Sequence, residues 1–352
     1  MKKVISVLLA VLLVFVQLVA FTGCQKQTKF SEYYFEYFDT ATTVVGYTQS
    51  QEEFDAVCTD IEALFKEYHR LFTIYDRYEN LNNLTTINDT DNGQHNVVTV
   101  DKKIIDMLLF CKEMYVKTNG KVNVAMGSVL KIWHEYRNAG LDDPANAQLP
   151  PMDKLQEAAK HTNIEDVIID EVNSTVFLAD PQMSLDVGAI AKGYAAEKVA
   201  QYLEEKGITG FILNVGGNIR TIGMAVDKPW NIGIENPDTL SDQAYIEYMQ
   251  LADKSLVTSG NYQRFYVVNG ESYHHIIDPV TLVPGTNFNS VSVVTDDSGF
   301  GDAMSTALFL MSYEEGLQFV ESIEGTDAMW VMPDGQQKYS SGFKNYCTDN
   351  LA

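Results

Sequence analysis

Between residues 210 and 297 one strand-type run follows another: "GFILNVGGNIRTIGMA", "WNIGIENP", "KSLVTSG", "RFYVVNGESYHHIIDP" and "NSVSVVTDD". Each is rich in β-branched or aromatic residues and bounded by glycine, proline, asparagine or aspartate. Helical patterns lie before and after this block, without the regular βαβ alternation that builds a parallel sheet. The predicted class is therefore α+β. Upstream, "YYFEYFDTATTVVGY" reads as a strand. "EEFDAVCTDIEALFKEYHRLFTIY" places Phe54, Val57, Ile61, Leu64, Phe65 and Leu71 near helical spacing. A helix is predicted from about Asp101 to the Asn119-Gly120 stop signal. Residues 138–153, with Pro144, Pro150 and Pro151, read as a loop. Two short strands flank a turn at Asn173, and an amphipathic helix covers 189–205 and stops at Gly207. "GFGDAMSTALFLMSYEEGLQFVES" reads as one helix and "DAMWVMPDGQQKYSSGF" as a closing hairpin. No composition shift marks a second domain.

Lys2 and Lys3 precede an apolar stretch from Val4 to Phe21, broken only by Ser6 and Gln17. A basic start, an apolar middle and small residues before a cut site describe a secretory signal. Thr22-Gly23-Cys24 resembles a bacterial lipobox, in which the cysteine takes lipid and becomes the mature N-terminus. Phe21 stands where such boxes usually carry leucine. The stretch also has the borderline length of an uncleaved membrane anchor. The predicted layout is a signal over 1–23, a polar tether over 24–31, one domain over 32–343 and a short tail over 344–352. The net charge of −23 argues against a nucleic-acid partner, since backbone phosphates demand clustered Lys and Arg. It does not exclude a nucleotide, because one metal ion and one lysine can neutralise a diphosphate locally. Of the four cysteines, Cys58 and Cys111 sit in helical apolar patterns, and none forms a CxxC or zinc spacing.

Four short stretches can carry chemistry. "LDVGAIAKGYAAE" puts Lys192 at a helix start, where backbone N–H groups favour anions, though it fits neither the P-loop nor the dinucleotide fingerprint. On spacing alone, a C-cap-like turn with an exposed lysine is the preferred reading. "NVGGNIRTIG" has two glycines between strands, which suit a close backbone approach or a simple hairpin. "SYHHIIDP" offers a histidine that a neighbouring carboxylate could orient as a base; a hydrogen-bonded structural histidine is the alternative. "GDAMSTALFL" places Asp302 and Thr306 four apart, so on a helix both oxygens share a face. A carboxylate and a hydroxyl are hard ligands of the kind Mg²⁺ accepts. Read alone, Asp302 could equally be an N-cap and Thr306 a back-bonded core residue.

Together, and in this order, these stretches resemble the ApbE family, the FAD:protein FMN transferases. "WNIGIENP", "LVTSGNYQRFYVVNGESYHHIIDP", "LFTIYDRYENLNNLTTIN" and "KVNVAMGSVLKIWHEYR" add to the match, which spans about residues 34–343. The resemblance implies a single mixed α/β domain of the ApbE-like, T-fold-related type after the signal segment. It implies FAD as substrate, held extended with Mg²⁺ on its diphosphate, and a client protein whose Thr or Ser hydroxyl receives FMN as AMP leaves. Asp302 and Thr306 match the metal-ligand side chains, Ser305 an adjoining ligand position, and Ala189 a carbonyl ligand. Asp186 and Lys192 match FAD contacts, with Lys192 holding phosphate or orienting Asp186. Ala125, Met126 and Gly127 match a backbone contact stretch, and Ile276 a further contact. Tyr75 falls where the family has an aromatic near the flavin, with Tyr78 as the alternative. Phe38 stands where many members have methionine before a Gly-Thr pair, here Asp39-Thr40. His275 is implied as the base. A lipid-anchored, exported form is common in the family and agrees with Cys24; an extracytoplasmic redox protein would be its client. Hydrolysis of FAD to FMN and AMP, and a flavin-binding lipoprotein without catalysis, are the competing expectations.

Overall fold

The computed structural model describes residues 27–348. Eight strands form one antiparallel sheet in chain order: β1 (Thr28–Tyr34), β2 (Thr42–Thr48), β3 (Phe211–Val215), β4 (Asn218–Ile222), β5 (Ser255–Gly260), β6 (Ser290–Thr295), β7 (Asp327–Val331) and β8 (Gln337–Tyr339). Apart from the tail after Tyr339, the remaining described residues are inserted between neighbouring strands, and these insertions supply the α-helices. Six of these are α1 (Gln51–Phe72), α2 (Lys102–Lys117), α3 (Gly127–Asp142), α4 (Ala191–Glu205), α5 (Ser298–Phe309) and α6 (Tyr313–Glu321). The single α+β domain of the sequence reading is what forms.

Strand alternation explains the layering. On β2, Thr42, Val44, Gly46 and Thr48 are buried towards the helices. Val45 and Tyr47 point to the other face, where the hairpin of Trp230–Glu235 and Tyr245–Leu251 covers them. Helix α1 opens on Ser50, whose hydroxyl accepts the Glu53 N–H, and carries His69 and Arg70 in its last turn, both suited to the helix dipole. Its apolar stripe packs on β2 and β3. Phe54 stacks on Phe211, ring centroids 5.9 Å apart. Phe211 can lie there only because position 46 is glycine: a Cβ on Gly46 would fall 2.4 Å from the ring. Burying one such phenylalanine stabilises the fold by about 1.5–3 kcal/mol.

Several boundaries differ from the sequence reading. Thr28–Ser31, expected in the tether, belong to β1 and pair with Val45–Thr48. The expected first strand is two strands, because Phe38 (φ 57°) and Asp39 (φ 50°) turn the chain between them. The expected helix after Asp297 is two, because Ser312 forms a capping box with Glu315 and restarts the chain as α6. Helix α3 runs into the expected loop as far as Asp142, and Met152–Ala158 is a further helix. The strand Tyr245–Leu251 was not foreseen; its polar residues mask the alternation. The tail is packed as far as Thr348, whose N–H donates to Tyr248, and Cys347 bridges Met249. Cys24 and the rest of the signal segment lie outside the described residues. Cys58, Cys111 and Cys347 are free thiols.

Candidate active site

Between the β2–β3 and β5–β6 insertions and helix α5 lies a cleft of about 560 Å³. Such a volume suits a small-molecule ligand. Its lining includes the cations Lys121, Arg137, Lys192 and Arg264 and the carboxylates Asp39, Asp76, Asp186 and Asp302. The wall is thus balanced in charge, although the chain carries −23.

The floor is the contact of α4 with α5. Asp302 is 4% exposed. Its Oδ2 accepts the Gly193 backbone N–H at 2.8 Å and the Asn218 amide at 3.2 Å, and lies 3.6 Å from Lys192 Nζ. Burial raises the carboxyl's pKa; Lys192, Gly193 and Asn218 oppose that rise. Gly193 is the third residue of α4, so its N–H is one of the first-turn donors that have no acceptor within the helix. Asp302 supplies that acceptor. Ala189, Asp302 and Thr306 all line this cleft. Among the described residues no three His, Cys, Asp or Glu side chains converge as a metal site. The donor set instead fits Mg²⁺, which typically takes one or two carboxylates and completes six-coordination with water and phosphate oxygens.

Gly193 makes this contact possible. A Cβ there would fall 2.2 Å from the Ser298 carbonyl oxygen and 2.5 Å from Asp302 Cβ. Gly193→Ala should force α4 and α5 apart and cost about 1–3 kcal/mol. A thermal melt reads the loss; a wild-type midpoint would show that the helices have slack.

His274 and His275 divide their roles. His274 Nε2 lies 2.7 Å from the Gly285 carbonyl, and its Nδ1 accepts the Ile276 N–H, so it is a neutral structural histidine. His275 lines the cleft, and its buried Nδ1 has no partner. A hydrogen bond with the Arg264 backbone acts on its ring. Burial, and then the charges of Arg264 and Lys192, push its pKa down to about 3. The Asp of "IIDP" does not orient it. Asp278 accepts the N–H groups of Val280 and Thr281 and pairs with Lys121 at 2.8 Å.

The other expected residues divide similarly. Phe38, Tyr75, Met126, Asp186, Lys192 and Ile276 line the cleft. Lys192 pairs with Asp302 rather than with Asp186, whose Oδ1 accepts the Gly188 N–H. Ala125 and Gly127 stand behind Met126: Ala125 is wholly buried, and Gly127 donates its N–H to Ser184. Ser305 is likewise fully buried beneath the cleft floor. The helix N-cap is Asp297, not Asp302. Tyr78 does not line the cleft; its ring carries the Arg70 guanidinium at 4.5 Å. Gly216 allows a close approach, since a Cβ there would fall 2.2 Å from Thr40 Oγ1.

The residues not foreseen are His69, His134, Arg264, Asn218 and Ser259. The Tyr75 phenol lies 3.3 Å from His134 Nδ1, and both residues line the cleft. Desolvation and then the Asp186 charge push the Tyr75 pKa up to about 12, and desolvation lowers that of His134. Arg264 donates to the Asp39 carbonyl at 2.8 Å, and the Phe38 N–H donates to His69. These bonds hold two left-handed residues in place. Asp39 adopts the positive φ that glycine favours.

A family model described as the ApbE family matches residues 38–330. A protein of Klebsiella pneumoniae named FAD:protein FMN transferase is 32% identical over 273 residues, covering 74% of this chain and 81% of that one. A protein of Treponema pallidum with the same name is 35% identical over 263 residues, 70% of each chain. Among solved structures, the ApbE protein of Thermotoga maritima aligns with a TM-score of 0.79 at 28% identity, covering 92% of this chain and 100% of that one.

Proposed function

The chain belongs to the ApbE family, and on that premise we propose that it transfers FMN from FAD to a hydroxyl of a client protein and releases AMP. The observation that carries this is a single cleft holding both a neutral histidine with an unpaired Nδ1 and a hard-donor set. Mg²⁺ bound by Asp302, Thr306 and the Ala189 carbonyl would neutralise charge on the diphosphate. Lys192 and Asn218 hold the Asp302 carboxylate in place. His275 Nδ1 takes the proton of a client Thr or Ser hydroxyl as its oxygen attacks the FMN-side phosphorus. The bond from that phosphorus to the AMP phosphate oxygen breaks, and AMP departs with the electron pair. Tyr75, Met126 and Ile276 offer aromatic and apolar surface to the flavin side.

The deciding experiment mixes the protein with FAD, Mg²⁺ and a candidate extracytoplasmic redox protein. The expected product is a client heavier by one FMN phosphoryl ester. AMP and free FMN in equal amounts, with no client adduct, would show a hydrolase; no AMP under any condition would show a binding protein. The N-terminal signal and lipobox-like Thr22-Gly23-Cys24 support lipid anchoring on the extracytoplasmic side. Cys24→Ala should then move the protein from the membrane to the soluble fraction, and retention in the membrane would refute the lipid anchor.

A further inference from the structure

A hydroxyl binds a hard cation through an oxygen lone pair, so its proton must go to an acceptor elsewhere. Helix α5 does not provide that acceptor for Thr306. The side chain that bonds back to the Asp302 carbonyl is Ser305, at 3.1 Å. Ser305 Oγ also lies 2.8 Å from Ser259 Oγ on β5. When the single Ser305 proton goes to the carbonyl, Ser259 is the donor in that pair. In that arrangement the Ser259 proton is in use, and the longer contact, Thr306 Oγ1 to Ser259 Oγ at 3.4 Å, takes Thr306 as donor. The protons run from Thr306 to Ser259 to Ser305 to the Asp302 carbonyl. At the head of this relay, the Thr306 lone pairs are left for the cleft.

We propose that Ser259 is a positioning residue that makes Thr306 a lone-pair donor to the metal. This rests on the reading of Asp302, Thr306 and Ala189 as the Mg²⁺ ligands. Ser259 acts through Thr306: without it, the Thr306 hydroxyl has no acceptor and is free to turn its proton towards the cleft. Ser305, wholly buried, is the relay's anchor rather than a ligand.

The test measures Mn²⁺ binding by electron paramagnetic resonance, with Mg²⁺ as competitor and FAD present, for wild type, Ser259→Ala, Thr306→Val and the double variant. Ser259→Ala should weaken binding about 10- to 100-fold, the range for residues that orient a metal ligand. The double variant should bind no more weakly than Thr306→Val alone, because the two changes remove one interaction. Ser259→Thr, which restores a hydroxyl, should recover most of the loss. Wild-type affinity in Ser259→Ala, or additive losses in the double variant, would overturn the proposal. So would an equal loss of FAD affinity in metal-free buffer, which would indicate general damage to the cleft. If the wild-type protein holds no Mn²⁺, the metal reading fails and this inference falls with it.

Discussion

Asp302→Asn should abolish Mg²⁺-stimulated AMP release while leaving the fold intact. Asp302 is the only carboxylate of the donor set, and Asn keeps its shape without its charge. A metal ion at a phosphoryl-transfer centre supplies several kcal/mol of charge stabilisation, so the rate should fall on the order of 10³-fold. Stability should move little or rise. Burial already disfavours the ionised carboxyl, and the Asn carbonyl can still accept the Gly193 N–H. Lys192, whose side chain is 20% exposed, can turn to solvent when its partner loses charge. Steady-state AMP release and a thermal melt, run together, separate the outcomes. A collapsed melt would make Asp302 a structural residue, and unchanged activity would remove it from the metal site.

His275→Ala should keep FAD binding, read by flavin fluorescence, and lose transfer by about 10²–10⁴-fold, the span expected of a general base. Full transfer by the variant would end the assignment. The same residue shapes stability against pH. With a folded pKa near 3 and an unfolded value near 6.5, His275 is neutral in both states above about pH 6.5 and adds no dependence there. As pH falls from about 6.5 towards 3, the unfolded chain binds a proton that the folded one does not. Stability is lost over that window, by up to about 1.4 kcal/mol per pH unit. Carboxylates titrate in the same range, so the diagnostic is the difference between wild type and variant: denaturation midpoints from pH 7 to 4 should fall less steeply in His275→Ala.

The site was legible in pieces where a residue's role is set by its neighbours in the chain. Asp302 and Thr306 share a helical face, and Gly216 marks a strand break, because short-range geometry dictates both. Lys192 was legible as a residue of interest, but its partner was not: Asp302 lies more than a hundred positions further on. Ser259 looked like an ordinary serine in a strand, and His134 like one polar residue of a helix; no local pattern distinguishes them. Ser305, expected as an adjoining ligand, is fully buried with its hydroxyl on the Asp302 carbonyl, a partner that its neighbours in the sequence do not announce.

By itself the sequence determined the α+β class, most of the strands and helices and their punctuation, since hydrophobic period and turn chemistry act over a few residues. The order and wording of its motifs also determined the family. Only the tertiary structure decided which oxygen goes where. The Gly193 N–H meets Asp302, and Thr306 comes within 3.4 Å of Ser259, because antiparallel strands in chain order bring α4, α5 and β5 together. Hydrogen bonds are satisfied by whatever packing places within about 3 Å, and that distance is not written in the spacing of residues along the chain.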